Sequence, residues 1–327
     1  MKTELFVAQE GGGKAYLPDV LEGVEWSTQR SGTPGRLTFR TAGAEAMRLA
    51  EGAAVRFSVD GRPVFYGYLF TKKCGRDGVA AMTAYDQLRY FKNKDTYIYE
   101  NKTAAQLVRM LAADFGLRTG EIDETGYVIA SRIEDNTTLF DMVENALGLT
   151  VQNTGRVYVL YDDAGRLTLK EQGAMAVGEN GAYALISEQS AQDYEYSVSL
   201  DADTASRVKL MREDSETGAR EVFIARDAAH EAAWGVLQMF DKLSEGENGQ
   251  AKADAMLKLY NRPARRLSIK KALGDVRVRG GSLIAVKLDL GGGETVSQRM
   301  LVEKAVHTFK EEEHTMDLVL RGGGFIG

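Results

Sequence analysis

A chain of 327 residues with 44% apolar side chains and a net charge of −6 has material for two or three packed domains and is too apolar to be disordered. Its single cysteine, Cys74, excludes an intrachain disulfide and any cysteine-based zinc site. The acidic balance argues against general nucleic-acid binding, and apolar runs such as Leu283-Ile-Ala-Val286 are too short to anchor the chain in a membrane.

The N-terminus, Met1 to Glu10, lacks the charged and apolar pattern of a signal peptide, so synthesis and retention in a cytoplasm are expected. Residues 1–98 read as β structure. Leu37-Thr-Phe39, Ala54 to Val59 and Val64 to Phe70 are strand-like, and Ser31 to Gly35, Asp60-Gly61 and Arg76 to Gly78 separate them. Asp60-Gly61 fits a tight hairpin, because both residues accept positive φ. Short antiparallel strands at this spacing predict a small barrel or sandwich.

The texture changes at Asn101. Ala104, Leu107, Val108, Leu111 and Phe115 recur at helical spacing, Thr103 to Gln106 has the form of a capping box, and Gly116 is a stop. A second helix is expected over residues 136–148. Its stripe is Leu139, Met142, Val143, Ala146 and Leu147, with Thr138 and Asp141 as the cap and Gly148 as the stop. With the hairpin Val157 to Leu169, these helices form a small α/β module placed at 99–187.

From residue 188 the pattern returns to β, at Tyr194 to Leu200 and Ser206 to Met211. A helical insertion is expected over about 228–261. Val236, Met239, Phe240 and Leu243 form one apolar face, Ala253, Met256, Leu257 and Tyr260 another, and Glu245 to Gly249 breaks the two. Strands resume at Arg266 to Ile269, Leu283 to Leu290, Arg299 to Phe309 and His314 to Leu320. The fold class is thus α+β, mainly β, with boundaries at 1–98, 99–187 and 188–327.

The search for chemistry returns little. Gly11-Gly-Gly-Lys14 fails as a phosphate loop: Ala8 stands where the first glycine belongs and Ala15 where a magnesium-holding hydroxyl belongs, so a hairpin turn is expected. Gly291-Gly-Gly293 reads as a loop and Gly322-Gly-Gly324 as a tail. His307 and His314 flank Glu311, Glu312 and Glu313, but at a spacing of no zinc motif; His230 reads as a surface histidine. The acids Glu121, Asp123, Glu124, Asp162 and Asp163 sit beside glycines in loops or turns. No nucleophile elbow, metalloprotease helix or dinucleotide fingerprint is present. No catalytic, cofactor-binding or metal-binding residue is assigned, and an enzyme is not expected; a glycan hydrolase working through the acid pairs is the alternative.

The most distinctive stretch is Tyr85-Asp-Gln-Leu-Arg-Tyr-Phe-Lys-Asn-Lys-Asp-Thr-Tyr97. Aromatics interleaved with cations can stack bases and hold phosphates, which keeps a nucleic-acid reading of residues 84–99 open. However, Tyr85, Leu88 and Phe91 are spaced three apart like a buried helical turn, which favours a connector packing one domain on the next.

This motif, with Asn101-Lys-Thr-Ala-Ala105, Asp114-Phe-Gly-Leu117, Val55 to Gly61, Phe65-Tyr-Gly-Tyr68, Thr138 to Met142 and Gly280 to Val286, resembles the XkdQ-like phage tail hub proteins, the baseplate hubs of contractile tails and tail-like bacteriocins. The resemblance spans nearly the whole chain. It implies a homotrimer in which each subunit supplies two tube-type β-barrels, so that six barrels join a sixfold tail tube to a threefold central spike. The implied partners are the tail tube protein, the spike and other baseplate proteins, with passive contact to DNA in the lumen. Such a protein is made in a bacterial cytoplasm and built into the tail. No cofactor is implied. Interface residues are sought among Tyr66, Tyr68, Tyr97, Tyr99, Trp234 and Tyr260, because aromatics dominate interface hot spots. The basic run Lys258 to Arg279 is read as a solvated face, or one turned to an acidic neighbour or to DNA.

Overall fold

The computed structural model describes residues 1–8, 15, 16, 18, 20–42, 49–179, 182–201, 204–213, 218–243, 248–291 and 294–322. The turn expected at Gly11–Lys14, most of the Glu245–Gly249 break, Gly292, Gly293, Gly323 and Gly324 lie outside them. Contacts divide the chain into two compact units: Met1–Tyr194 with Ser268–Leu320, and Glu195–Leu267 with Arg321.

The larger unit is built on one long sheet. Part of it runs in the order Leu283–Gly291, Glu294–Lys310, Val20–Gln29, Arg36–Ala42, Val79–Tyr85, Arg62–Cys74, Ala54–Val59, Thr3–Ala8 and Ala15–Tyr16, and Glu313–Arg321 also pairs with Glu294–Lys310. Alternation along these strands turns Trp26, Leu37, Phe39, Val55, Phe57, Leu69, Met82 and Phe309 into one core. Asp60 (φ 48°) and Gly61 (φ 76°) make the expected hairpin turn.

Two closed barrels were expected; among the described residues no closed sheet is found, and the N- and C-terminal β segments share this open sheet. The cause is the 17-residue strand Glu294–Lys310. Its first half pairs with Leu283–Gly291 and its second half, Lys304 to Phe309, with Val24 to Gln29.

Between these segments lies the α/β part of the same unit. Helix α1, Ala104–Asp114, starts on a complete capping box between Thr103 and Gln106. Helix α2, Leu139–Thr154, is capped by Thr138. It passes through Gly148, the expected stop, and ends at Gly155 in the left-handed conformation. Glycine inside a helix costs only about 1 kcal/mol, and the extra turn buries Thr150, which bonds back to the Ala146 carbonyl. Both helices pack with Leu88, Phe91, Tyr99, Ile129 and Leu167. The hairpin Tyr158–Asp162/Leu167–Glu171 gains a parallel neighbour, Thr119–Ile122. The strands Lys94–Lys102 and Ile129–Thr138 form a separate two-stranded ribbon.

In the smaller unit, Arg220–Arg226, Arg207–Glu213 and Gln238–Lys242 form a three-stranded sheet. Helix α3, Ala228–Trp234, ends at Gly235, and helix α4, Gly249–Tyr260, packs Ala253, Met256, Leu257 and Tyr260 on one sheet face. The helix expected through Phe240 is therefore a strand. Gly235, at φ 79°, stops α3, and Met239 and Phe240 point to opposite sheet faces, as period-two geometry requires. No helix among the described residues is long and apolar enough to cross a membrane.

Candidate functional site

The stretch from Tyr85 resolves into a junction between the long sheet and the α/β part of the larger unit. The strand Val79–Tyr85 ends, and Asp86 caps a short 3-10 turn, Gln87–Lys92, accepting from the Leu88 N–H at 3.0 Å. Leu88 and Phe91 then enter the helical core. Tyr85 and Tyr90 are half-buried and lie edge-on or tilted against Phe70, with the Arg89 guanidinium over the Phe70 ring. These rings are packed on one another, not displayed as a stacking platform.

Below the turn, Asp86 and Gln87 open a buried polar network. The other Asp86 oxygen accepts from the Gly35 N–H at 2.8 Å. A Cβ on Gly35 would sit 2.3 Å from that oxygen, so glycine is needed for the approach. The Gln87 amide donates to Asp162 Oδ2 at 3.0 Å, and its oxygen accepts from the Arg118 N–H at 2.8 Å. Asp162 Oδ1 accepts from the Gly165 N–H.

Arg279 closes the network. Its Nη2 donates to the Asp162 carbonyl at 2.6 Å, and its guanidinium lies over Tyr161 at 4.1 Å and Trp26 at 5.7 Å. The next residue, Gly280, donates to Thr28 Oγ1, and a Cβ there would lie 2.2 Å from the Gln29 backbone. Burial, and then the Asp162 charge, push the Asp86 carboxyl well above the usual range. Burial also raises Asp162, against the opposing Gly165 and Gln87 hydrogen bonds and the Arg279 charge. These groups are held by backbone donors in a closed interior, an arrangement that locks segments together and gives a substrate no access.

His307 and His314 face each other across the Glu294–Lys310/Glu313–Arg321 hairpin. His307 donates from Nε2 to the Val278 carbonyl at 2.8 Å, which leaves Nδ1 to accept from His314 Nε2 at 2.9 Å. Burial lowers the His307 pKa to about 3 and that of His314 to about 4. His314 stacks on Phe309 and His307 lies tilted against Trp26, while Glu311, Glu312 and Glu313 are exposed. Among the described residues no three His, Cys, Asp or Glu side chains are grouped to hold a metal. The remaining acid candidates are tied locally: Glu121 pairs with Lys170, Glu124 with Arg109, and Asp123 accepts from the Glu171 N–H.

The structure disperses the six aromatic candidates. Tyr66 and Tyr68 are half-buried and meet edge-on at 5.9 Å, with Arg118 over Tyr66. Tyr97 is half-buried and donates to Asp114; burial, then that hydrogen bond, raise its pKa to about 12. Tyr99 is 2% exposed and belongs to the helical core, so it presents no contact surface. In the smaller unit Trp234 stacks on His230 at 3.8 Å, and Tyr260 packs on the core. His230 also meets Asn261 at 2.7 Å, so it is less free than a surface histidine.

Arg279 sits in a basic run that reads as a solvated face, and its composition gives no sign of this role in the buried network. Sequence reasoning missed two apolar surfaces, Ile98 with Ile133 and Val222 with Ile224 and Phe240. The uninterrupted run Val222-Phe-Ile-Ala225 was a readable sign of the second, since a strand covered on one face alternates.

A family model described as YqbQ-like matches residues 24–321. The YqbQ protein of Bacillus subtilis strain 168 is 31% identical over 328 residues, covering 96% of this chain and 95% of that protein. XkdQ, a protein of the phage-like element PBSX in the same strain, is 32% identical over 279 residues, covering 83% and 81%. Among solved structures, the 43 kDa tail protein of prophage MuSo2 from Shewanella oneidensis shares the fold, with a TM-score of 0.68, 12% identity and coverage of 97% and 98%. The motif at the junction, the end-to-end match to two relatives and the family model agree: this chain belongs to the YqbQ-like family.

Proposed function

We propose that the chain is a structural protein of a phage tail or phage-tail-like particle, placed at the baseplate. The observation that carries this reading is the fold shared along nearly the whole chain with a prophage tail protein, joined to identity with the PBSX protein XkdQ. The internal chemistry supports it. The buried carboxylates, Arg279 and the histidine pair bind segments of the chain to one another, as a load-transmitting part requires. No observation favours the glycan-hydrolase reading.

In finer detail, the protein acts as a trimeric hub between a sixfold tail tube and a threefold spike. Residues 1–98 and 188–327 act as two tube-type blocks and 99–187 as the module between them, so three chains present six blocks. The half-buried Tyr66, Tyr68, Tyr97, Trp234 and Tyr260 are the aromatic contact candidates. The protein is synthesised in a bacterial host and incorporated into the tail. Native mass spectrometry of the full chain, alone and with the tube and spike proteins, tests this: trimers are expected, and a monomer under every condition refutes the hub.

A further inference from the structure

Two exposed surfaces combine apolar side chains with a single dominant sign of charge. The first is the outer face of the ribbon Lys94–Lys102/Ile129–Thr138. Ile98 and Ile133 are direct cross-strand partners, and each is 68% exposed. Glu100, opposite Ser131, lies two residues along the strand on the same face; Asp135, which accepts from Thr96, lies beyond the other side. This face reads Lys94, Thr96, Ile98, Glu100, Ser131, Ile133, Asp135: an apolar pair flanked by two carboxylates, with a cation, Lys94, at the far end of the strand.

The second is the sheet face of the smaller unit opposite α4. Strand register places Ile224, Lys209 and Phe240 in one row and Val222, Met211 and Lys242 in the next. Val222, Ile224 and Phe240 are 45%, 48% and 51% exposed. Lys209 and Lys242 have no carboxylate partner among the described residues. The adjacent row carries Arg207 and Arg226, which share Glu231. This face is therefore apolar at its centre with Lys209 and Lys242 beside it, and it is closed at its ends by the Arg207/Arg226–Glu231 and Arg220–Glu213 pairs.

Apolar surface of this kind marks a contact, and like charges brought face to face oppose one. Pairing the sheet face with itself sets Lys209 and Lys242 against their own copies. Pairing the ribbon with itself sets Glu100 and Asp135 against theirs. Only the cross pairing matches apolar to apolar and cation to carboxylate. We propose that the cationic sheet face of the smaller unit seats the acidic Ile98–Ile133 ribbon of a second copy of this chain. The contact is heterologous: each copy keeps one surface of each kind free for the next. It rests on the self-assembling reading given above and names the surfaces through which copies meet.

Sedimentation of the full chain across a concentration series tests it. Lys209→Glu with Lys242→Glu, and separately Glu100→Lys, each weaken self-association by about tenfold or more. Mixing the two variants restores one unaltered contact and matches the reversed charges at the other, so association between unlike chains returns although each variant alone associates weakly. A wild-type oligomer that both variants leave unchanged overturns this contact and spares the hub reading; a wild-type monomer under every condition overturns both. A second measurement uses a Cys74→Ser background. Chains carrying Ile133→Cys and chains carrying Ile224→Cys are expected to crosslink on mixing. Absence of that crosslink, or equal crosslinking by either chain alone, overturns the assignment.

Discussion

Acid should unfold the larger unit through His307. The imidazole is fully buried, donates to the Val278 carbonyl and accepts from His314, so it folds neutral. Its pKa falls from 6.5 to about 3, with burial the first cause and His314 the second. Because the folded value is depressed, the unfolded chain binds the proton more readily below pH 6.5. The contribution is complete above pH 6.5 and is lost as pH falls toward 3. Each pH step across that window removes about 1.4 kcal/mol, so His307 accounts for about 3 kcal/mol between pH 6.5 and 4.5 and about 5 kcal/mol by pH 3. Trp26 lies tilted against this histidine at 4.8 Å and reports the unit once Trp234 is replaced by Phe. Urea unfolding followed by Trp26 fluorescence at pH 7.0, 5.5 and 4.5 gives the slope. His307→Gln should cost about 1 kcal/mol at pH 7 from the altered hydrogen bonds yet lose clearly less than wild type between pH 6.5 and 4.5. Equal losses in both proteins would refute the reasoning and move the acid response to other groups.

Three further outcomes follow from the packing. Arg279→Met removes the donor to the Asp162 carbonyl and the cation over Tyr161 and Trp26, and denaturant unfolding should show a loss of about 1–3 kcal/mol; no measurable loss contradicts the network described. Phe91→Ala removes a fully buried ring from the helical core and should cost about 3–5 kcal/mol by the same assay. Thr103→Ala deletes the α1 cap and should cost about 1 kcal/mol, while Thr103→Ser, which keeps the hydroxyl, should stay close to wild type in thermal melting.

What could be read from the sequence was what local chemistry dictates. Asp60-Gly61, the Thr103–Gln106 capping box and the alternating strands around Leu37 and Val55 each carry their own cause. The strand Ile129–Thr138 was not legible, because Ser131, Arg132, Glu134, Asp135 and Asn136 give it a loop's composition; its partner Lys94–Lys102 makes it a strand. Gly148 misled because tertiary packing outweighs one glycine. The single sheet was hidden for a different reason: the pairing of Lys304–Phe309 with Val24–Gln29 joins opposite ends of the chain, and no local pattern encodes it. The junction was half-visible. Asp86 and Gln87 stood in a distinctive motif, but their partners Asp162 and Arg279 come from a turn and a basic run whose burial depends on Trp26 and Tyr161.

Cryo-electron microscopy of the chain assembled with its tail proteins decides whether three copies stand between tube and spike, as proposed. Threefold density at the baseplate axis, with two β blocks per chain abutting the sixfold tube, is expected. A single copy, or a position on the outer surface of the tail, would contradict it.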